Sequence, residues 1–99
     1  MSTKYIICDR NVVGLLLLLH EREEVITSEL IIVNSNYSLV RPVADKMLHA
    51  GILESRPSDK HCTKTYWRMT DKGQDIANLL FQAERQLSKT RFSEKYYKW

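Results

Sequence analysis

The sequence predicts an α+β domain with a three-helix core, a β-hairpin and an additional C-terminal helix. Three observations lead to this fold class. Residues 29–52 contain two apolar helical segments separated by a polar turn, the outline of a helix-turn-helix. Residues 65–69 alternate in the manner of a half-buried strand. Thr70 and Asp71 then have the residue types of a helix start, which places the last helix directly after the hairpin.

Length and composition allow one domain. A chain of 99 residues with 43% hydrophobic residues is sufficient for one modest core. We expect a single domain over residues 1–99, with the core at about 12–70 and a C-terminal helix with a basic, aromatic tail at about 71–99. The formal net charge of +3 is compatible with a nucleic-acid partner but does not require one.

The first predicted helix covers Val12–His20 and has Asp9 or Asn11 as its side-chain cap. Its five consecutive leucines, Leu15–Leu19, make it apolar on all sides. Two explanations remain open, because such a helix is either the centre of the core or faces a partner on one side. Glu23–Thr27 is expected to form a short strand that pairs with the hairpin.

The helix-turn-helix starts with a segment that has Thr27 or Ser28 as its expected N-cap. Its expected buried stripe consists of Leu30, Ile31 and Val33. In the second helix the apolar positions at helical spacing are Val40, Val43, Ala44, Met47 and Leu48. Gly51 ends this helix, since glycine adopts positive φ without strain. Pro42 conflicts with helical geometry, so the helix either starts late, with Pro42 in its first turn, or bends there.

Two antiparallel strands are predicted at Ile52–Leu53 and Thr65–Met69, joined by a turn at Pro57–Lys60. The second strand is expected to direct Thr65, Trp67 and Met69 inward. Gly73 permits close approach of the last helix to the hairpin. The apolar residues of that helix are Ile76, Ala77, Leu79, Leu80, Phe81, Ala83 and Leu87. They form a wider apolar surface than packing on one small domain requires.

The order of the segments carries a family resemblance. The chain reads AGIL at residues 50–53, continues through a charged hairpin, and reads YWRM at 66–69 and TDKG at 70–73. This order resembles the winged helix-turn-helix of MarR-like, PadR-like and small archaeal-type transcription regulators, over roughly Val12 to Leu87. The resemblance implies a homodimeric regulator that binds double-stranded DNA, with the second helix of the helix-turn-helix in the major groove and the hairpin, or wing, on the adjacent backbone. The alternative is a winged-helix module that binds protein without binding DNA.

Candidate DNA contacts lie at the start of the second helix of the helix-turn-helix, the expected recognition helix. There, short polar side chains and backbone N–H groups face base edges and phosphates. These candidates are Ser35, Asn36, Tyr37, Ser38 and Arg41, with Lys46 further along the helix. Arg41 is the one candidate with a fork that binds guanine by two hydrogen bonds. Two alternatives remain: Asn34–Ser38 is ordinary turn and cap chemistry, and Arg41 pairs with Asp45 one turn along the helix.

The hairpin supplies the second group of candidates. They are Arg56, Lys60, His61 and Lys64, with Arg68 on the outer face and Asp59 as the opposing charge. A basic wing places such side chains along the DNA backbone or in the minor groove. The alternative is a hairpin kept soluble by its charges.

The expected dimer interface is formed by the first and last helices. Its candidate residues are Leu16, Leu19, Leu80, Phe81 and Leu87. An apolar surface of this width is unusual on a monomer, which is the physical reason to expect a second copy.

Other function classes find little support in the residues. His61-Cys62 lacks the further ligands that a zinc site needs, so we expect neither a bound metal nor a cofactor. No nucleophile has an oriented base at a recognisable spacing, so we do not expect the protein to be an enzyme. Cys8 and Cys62 are far apart in sequence and are expected to be reduced. The apolar run 12–19 is too short to cross a membrane or to act as a signal peptide, so we expect a cytoplasmic protein. No effector ligand is predicted.

Overall fold

The helices and strands follow the order expected from the sequence. The structure, a computed structural model, describes residues 5–58 and 64–89. Its α-helices are α1 (Arg10–Arg22), α2 (Tyr37–His49) and α3 (Asp71–Ser88). Its strands are β1 (Glu24–Ile26), β2 (Leu53–Pro57) and β3 (Thr65–Met69), and two short 3-10 helices cover Ile6–Cys8 and Thr27–Ile32. The described part of the chain is therefore an α+β structure with one three-stranded sheet. None of its helices is long and apolar enough to cross a lipid bilayer.

The sheet is antiparallel, with β3 between β1 and β2. Val25 of β1 and Ser55 of β2 both lie opposite Trp67 of β3. Because side chains alternate along a strand, this register directs Val25 and Trp67 to the helices, and both are 1% exposed. The short strand expected before the helix-turn-helix and its pairing with the wing are confirmed.

The core is centred on α1, which packs against α2, α3 and the sheet. Leu15, Leu16 and Leu19 are at most 3% exposed and belong to the buried cluster that also contains residues of α2, α3 and the sheet. Of the two explanations for the apolar first helix, the structure therefore supports the central core helix. Leu16 and Leu19, expected at a dimer interface, have almost no surface left for a second subunit, which corrects that assignment.

The first helix of the helix-turn-helix differs from the expectation. It is a 3-10 helix that already begins at Thr27 and has Ile26 as its N-cap, so neither Thr27 nor Ser28 is the cap. The Glu29 side chain reaches back to this end and accepts from the Ile26 N–H at 2.9 Å. With three residues per turn, Leu30 and Val33 lie on one face and Ile31 is rotated outward. Leu30 is fully buried while Ile31 is 51% exposed, so the predicted buried stripe is wrong at Ile31.

In α2 the predicted buried positions are confirmed, with Val40, Ala44 and Met47 in the core. The helix begins at Tyr37, so the late start is wrong and Pro42 lies inside it. Pro42 has no N–H to donate to the Ser38 carbonyl, and its ring is exposed. Gly51 follows the helix with φ of 76°, as expected.

The hairpin strand β2 extends to Pro57, which lies opposite Thr65. The predicted turn at Pro57–Lys60 therefore starts one residue too early. Residues 59–63, which include Lys60, His61 and Cys62, lie outside the described residues.

Trp67 connects the sheet to the 3-10 helix Thr27–Ile32. Its indole N–H donates to Thr27 Oγ1 at 2.8 Å, and the Thr27 hydroxyl in turn lies 3.4 Å from the Thr65 carbonyl oxygen, to which it donates. Thr27 thus provides the polar partner that a fully buried indole requires.

Replacing Thr27 tests this connection. Thr27→Val keeps the shape of the side chain but leaves the buried indole N–H without a partner, which costs about 1–3 kcal/mol of unfolding free energy. Thr27→Ser keeps the hydroxyl and should retain most of the stability. Urea denaturation followed by circular dichroism measures both variants; equal losses for Val and Ser would show that the hydroxyl is unimportant.

Gly73 marks the closest approach between α3 and the hairpin. A Cβ atom at this position would lie 2.2 Å from the carbonyl oxygen of Ile52. That oxygen cannot readily move, because it accepts a hydrogen bond from the Thr70 N–H at 3.0 Å, while the Thr70 hydroxyl donates to the adjacent Gly51 carbonyl oxygen at 2.6 Å. The expected close approach at Gly73 is confirmed.

Gly73→Ala should destabilise the fold by about 1–3 kcal/mol, the usual cost of overpacking, although alanine favours helices. Gly14→Ala in α1 is the matched control, because its Cβ would meet the rotatable Val33 side chain at 2.6 Å. Thermal unfolding should show a large loss for Gly73→Ala and a small one for Gly14→Ala. The reverse order would contradict the packing described here.

Candidate nucleic-acid interface

A concave surface separates the 3-10 helix, the start of α2 and the base of the hairpin. Its volume is about 630 Å³. It is lined by Ile26, Thr27, Ser28, Ile31, Tyr37, Arg41, Lys64 and Thr65, and is called the interface cleft below. Two of these residues are cations, and among the described residues no carboxylate lines the cleft. The cleft therefore combines positive charge with hydroxyl groups beside an exposed helix start.

The turn that leads into α2 is held by its own side chains. Asn34 Oδ1 accepts from the Asn36 N–H at 2.9 Å, and Asn34 Nδ2 donates to Asn11 Oδ1 at 3.3 Å, which ties the turn to α1. Asn36 Oδ1 accepts from the Ser38 N–H at 3.2 Å and from the Ser38 hydroxyl at 2.6 Å. Asn36 and Ser38 therefore act as a helix cap, while all of residues 35–38 remain exposed.

Arg41 is held in place by three neighbours. Its Nε donates to Asp45 Oδ1 at 3.1 Å and Oδ2 at 3.3 Å, and its Nη1 donates to the Tyr37 hydroxyl at 2.8 Å. The guanidinium carbon lies 5.3 Å from the centroid of the Trp67 ring, within cation–π range. The hydrogen bond to Tyr37, followed by that to Asp45, raises the pKa of Arg41 above its ordinary value.

The pairing with Asp45, which the sequence left as an alternative, is thus present in the structure. Arg41 nevertheless remains 40% exposed in its side chain, and Asp45 44%. The pair lies at the edge of the interface cleft and is accessible to a partner.

Lys64 and Lys46 are both exposed and form no ion pair with any described residue. Lys64 lines the interface cleft, opposite Arg41. Lys46 lies elsewhere, beside a second, apolar cavity of about 480 Å³ between α2 and the N-terminal residues Tyr5 and Ile6. The structure therefore brings Tyr37, Arg41 and Lys64 together but leaves Lys46 outside this group.

The outer face of the sheet is not basic. Arg56 Nη2 lies 3.2 Å from Glu24 Oε1, and Arg68 Nε lies 2.5 Å from Glu54 Oε1. The Arg56 guanidinium also lies over the Tyr66 ring, 4.7 Å from its centroid. The expectation that Asp59 alone opposes these arginines is corrected, because the strand register places Glu24 and Glu54 beside Arg68.

The predicted dimer contacts on α3 separate into two groups. Leu80 packs against the core, and Phe81 stacks on His20 with ring centroids 4.1 Å apart. Leu87 is 53% exposed and Leu79, which was not among the candidates, is 65% exposed. The i, i+4 spacing of Leu79, Ala83 and Leu87 is the signal that could have identified this exposed row.

Comparison with known proteins adds no assignment: no protein-family model matches the chain, and no curated protein matches it. The described residues also contain no group of three side chains placed to hold a metal ion. The function must therefore be inferred from the geometry and charge of the interface cleft.

Proposed function

We propose that the chain binds double-stranded DNA through the interface cleft and the exposed start of α2, as a small winged helix-turn-helix transcription regulator. The observation that supports this most is Lys64, an exposed cation without an ion pair to any described residue, in a concave surface that also contains Arg41 and Tyr37 of α2. Duplex DNA presents a continuous array of phosphates, and such a surface is suited to contact them.

The shape of α2 is compatible with groove binding. An α-helix with its side chains is about 10–12 Å across, and the major groove is about 12 Å wide. The N-terminal residues Tyr37, Ser38 and Leu39 are exposed and are not covered by any described element. In this proposal they face base edges, while Lys64 at the base of the wing contacts the adjacent backbone.

In this proposal the wing makes fewer phosphate contacts than it would if all of its basic residues were unpaired. Arg56 and Arg68 are compensated by Glu24 and Glu54, so Lys64 is the wing residue of the described chain with an uncompensated charge. Regulation would follow from occupancy of a promoter, by exclusion or recruitment of other proteins.

Lys64→Gln tests the proposal. Loss of one phosphate contact should reduce the slope of log affinity against log salt by about 0.9, on all sequences alike. Lys72→Gln, at the exposed start of α3 away from the cleft, removes the same charge and should leave the slope unchanged. Fluorescence anisotropy with labelled duplex DNA measures both. Absence of binding by the wild type at low salt would contradict the proposed function.

We further propose that the regulator is a homodimer joined through α3. The helix has 18 residues and is about 27 Å long, and every residue from Gln82 to Ser88 is exposed. The start of the helix carries Asp71 and Asp75 against Lys72, and its end carries Arg85 and Lys89 against Glu84, so antiparallel pairing of two copies would bring segments of opposite net charge together.

Leu79→Glu should convert the dimer to a monomer, because a buried carboxylate without a partner is strongly unfavourable at an interface. Gln74→Glu adds the same charge about 140° around the helix from Leu79 and is the matched control, expected to remain dimeric. Phe81 is less suitable, since it packs on His20 within the same chain. Light scattering after gel filtration gives the mass; a wild-type monomer at micromolar concentration would refute dimerisation.

A second candidate function is supported by a separate observation. Tyr5, Ile6 and Ile7 are 61–76% exposed, and Tyr5 and Ile6 border the apolar cavity beside α2. Exposed apolar groups around a cavity favour a protein-binding module. Salt-dependent affinity for duplex DNA distinguishes the two functions, because a module that binds protein through this apolar surface would not show it.

A further inference from the structure

Asp45 is a carboxylate on the side of α2 that the proposed function directs to DNA. It lies one turn after Arg41, and both side chains are about two-fifths exposed. A carboxylate at this position is unfavourable for binding a polyanion, so its presence beside the cleft requires an explanation. The pair is also not a buried structural contact, since neither residue belongs to the core.

The hydrogen bonds to Asp45 and Tyr37 use only some of the N–H groups of the Arg41 guanidinium. Of the five N–H groups of a guanidinium, the structure uses the Nε–H for Asp45 and one Nη1–H for Tyr37, which leaves three. Arg41 can therefore accept a partner while it stays paired. Any anion that approaches these remaining N–H groups meets the negative charge of Asp45 close by, and the repulsion reduces the gain from the arginine.

Phosphates and bases respond differently to this arrangement. A phosphate has only acceptor oxygens and is repelled by the Asp45 carboxylate. A G·C pair in the major groove offers the guanine O6 and N7 acceptors to Arg41 and the cytosine amino group as a donor to Asp45. Arg41 and Asp45 together thus match the edge of a G·C pair, which has two acceptors and a donor. They do not match a phosphate, which has acceptors only.

We propose that Asp45 is a specificity-determining residue, which suppresses phosphate binding by Arg41 and directs the Arg41–Asp45 pair to a G·C pair. This inference rests on the proposed DNA binding by α2. Tyr37 holds the guanidinium from the other side and so keeps the pair in register with the groove.

Asp45→Asn tests the inference, with short duplexes of G·C pairs and of A·T pairs as probes. The variant frees Arg41 for one further phosphate, so the salt slope should steepen by about 0.9 and the affinity should fall about 3.5-fold more than that of the wild type between about 50 and 200 mM salt. The ratio of G·C to A·T affinity should fall toward one. Glu21→Gln, at the exposed end of α1 and outside both the interface cleft and α3, makes the same change of net charge and should alter neither quantity.

The outcomes separate the two proposals. If wild type binds DNA but Asp45→Asn and Glu21→Gln give the same slope and the same G·C to A·T ratio, the role of Asp45 is overturned and the proposed function stands. If neither the wild type nor Asp45→Asn binds at low salt, both are overturned. A circular dichroism spectrum identical to wild type is required of each variant, and an exposed helical Asp→Asn or Glu→Gln change is expected to meet this condition.

Discussion

The buried indole of Trp67 is the interaction on which the rest of the structure depends. It lies on the central strand, opposite Val25 and Ser55, so it is in contact with both neighbouring strands. Its N–H holds Thr27 at the start of the 3-10 helix Thr27–Ile32, and its ring lies beneath the Arg41 guanidinium of α2. One side chain therefore sets the position of the sheet, the 3-10 helix and the candidate recognition helix relative to one another.

Ion pairs determine which cations among the described residues remain available to a partner. The four ion pairs of the described residues include four of its arginines: Arg22, Arg41, Arg56 and Arg68. Exposed pairs of this kind contribute little to stability, so their main effect is on where positive charge remains available. What remains near the interface cleft is Lys64 and the partly engaged Arg41. The net charge of +3 does not by itself show which cations a partner can reach.

Much of the fold could be predicted because it depends on periodicity. The alternation of residues 65–69 identified Trp67 as inward-facing, and helical spacing identified Val40, Ala44 and Met47 as the buried face of α2. The 3-10 geometry at Thr27–Ile32 could not be predicted, because i+3 and i+4 patterns are not distinguishable over six residues. That ambiguity is the reason why Ile31 was expected to be buried.

The candidate site was predictable in part. The i, i+4 spacing indicated the Arg41–Asp45 pair as one alternative, because both residues lie on one short helical segment. The pairing of Arg56 with Glu24 joins residues 32 positions apart and depends on strand order, which residue types alone do not specify. The burial of Leu16 and Leu19 similarly depended on how many elements surround α1. Long-range register, rather than local chemistry, limited the prediction of the site.

The central claim is that α2 and the base of the wing form one surface for duplex DNA. A titration of ¹⁵N-labelled protein with duplex DNA, followed by amide chemical shifts, measures this surface most directly. If this surface binds DNA, the amide shifts of residues 35–41 and 64–65 and the shift of the Trp67 indole N–H change together, while those of Gln82–Ser88 stay largely unaffected. Changes confined to Tyr5–Cys8 or to α3, with residues 35–41 unaffected, would contradict it.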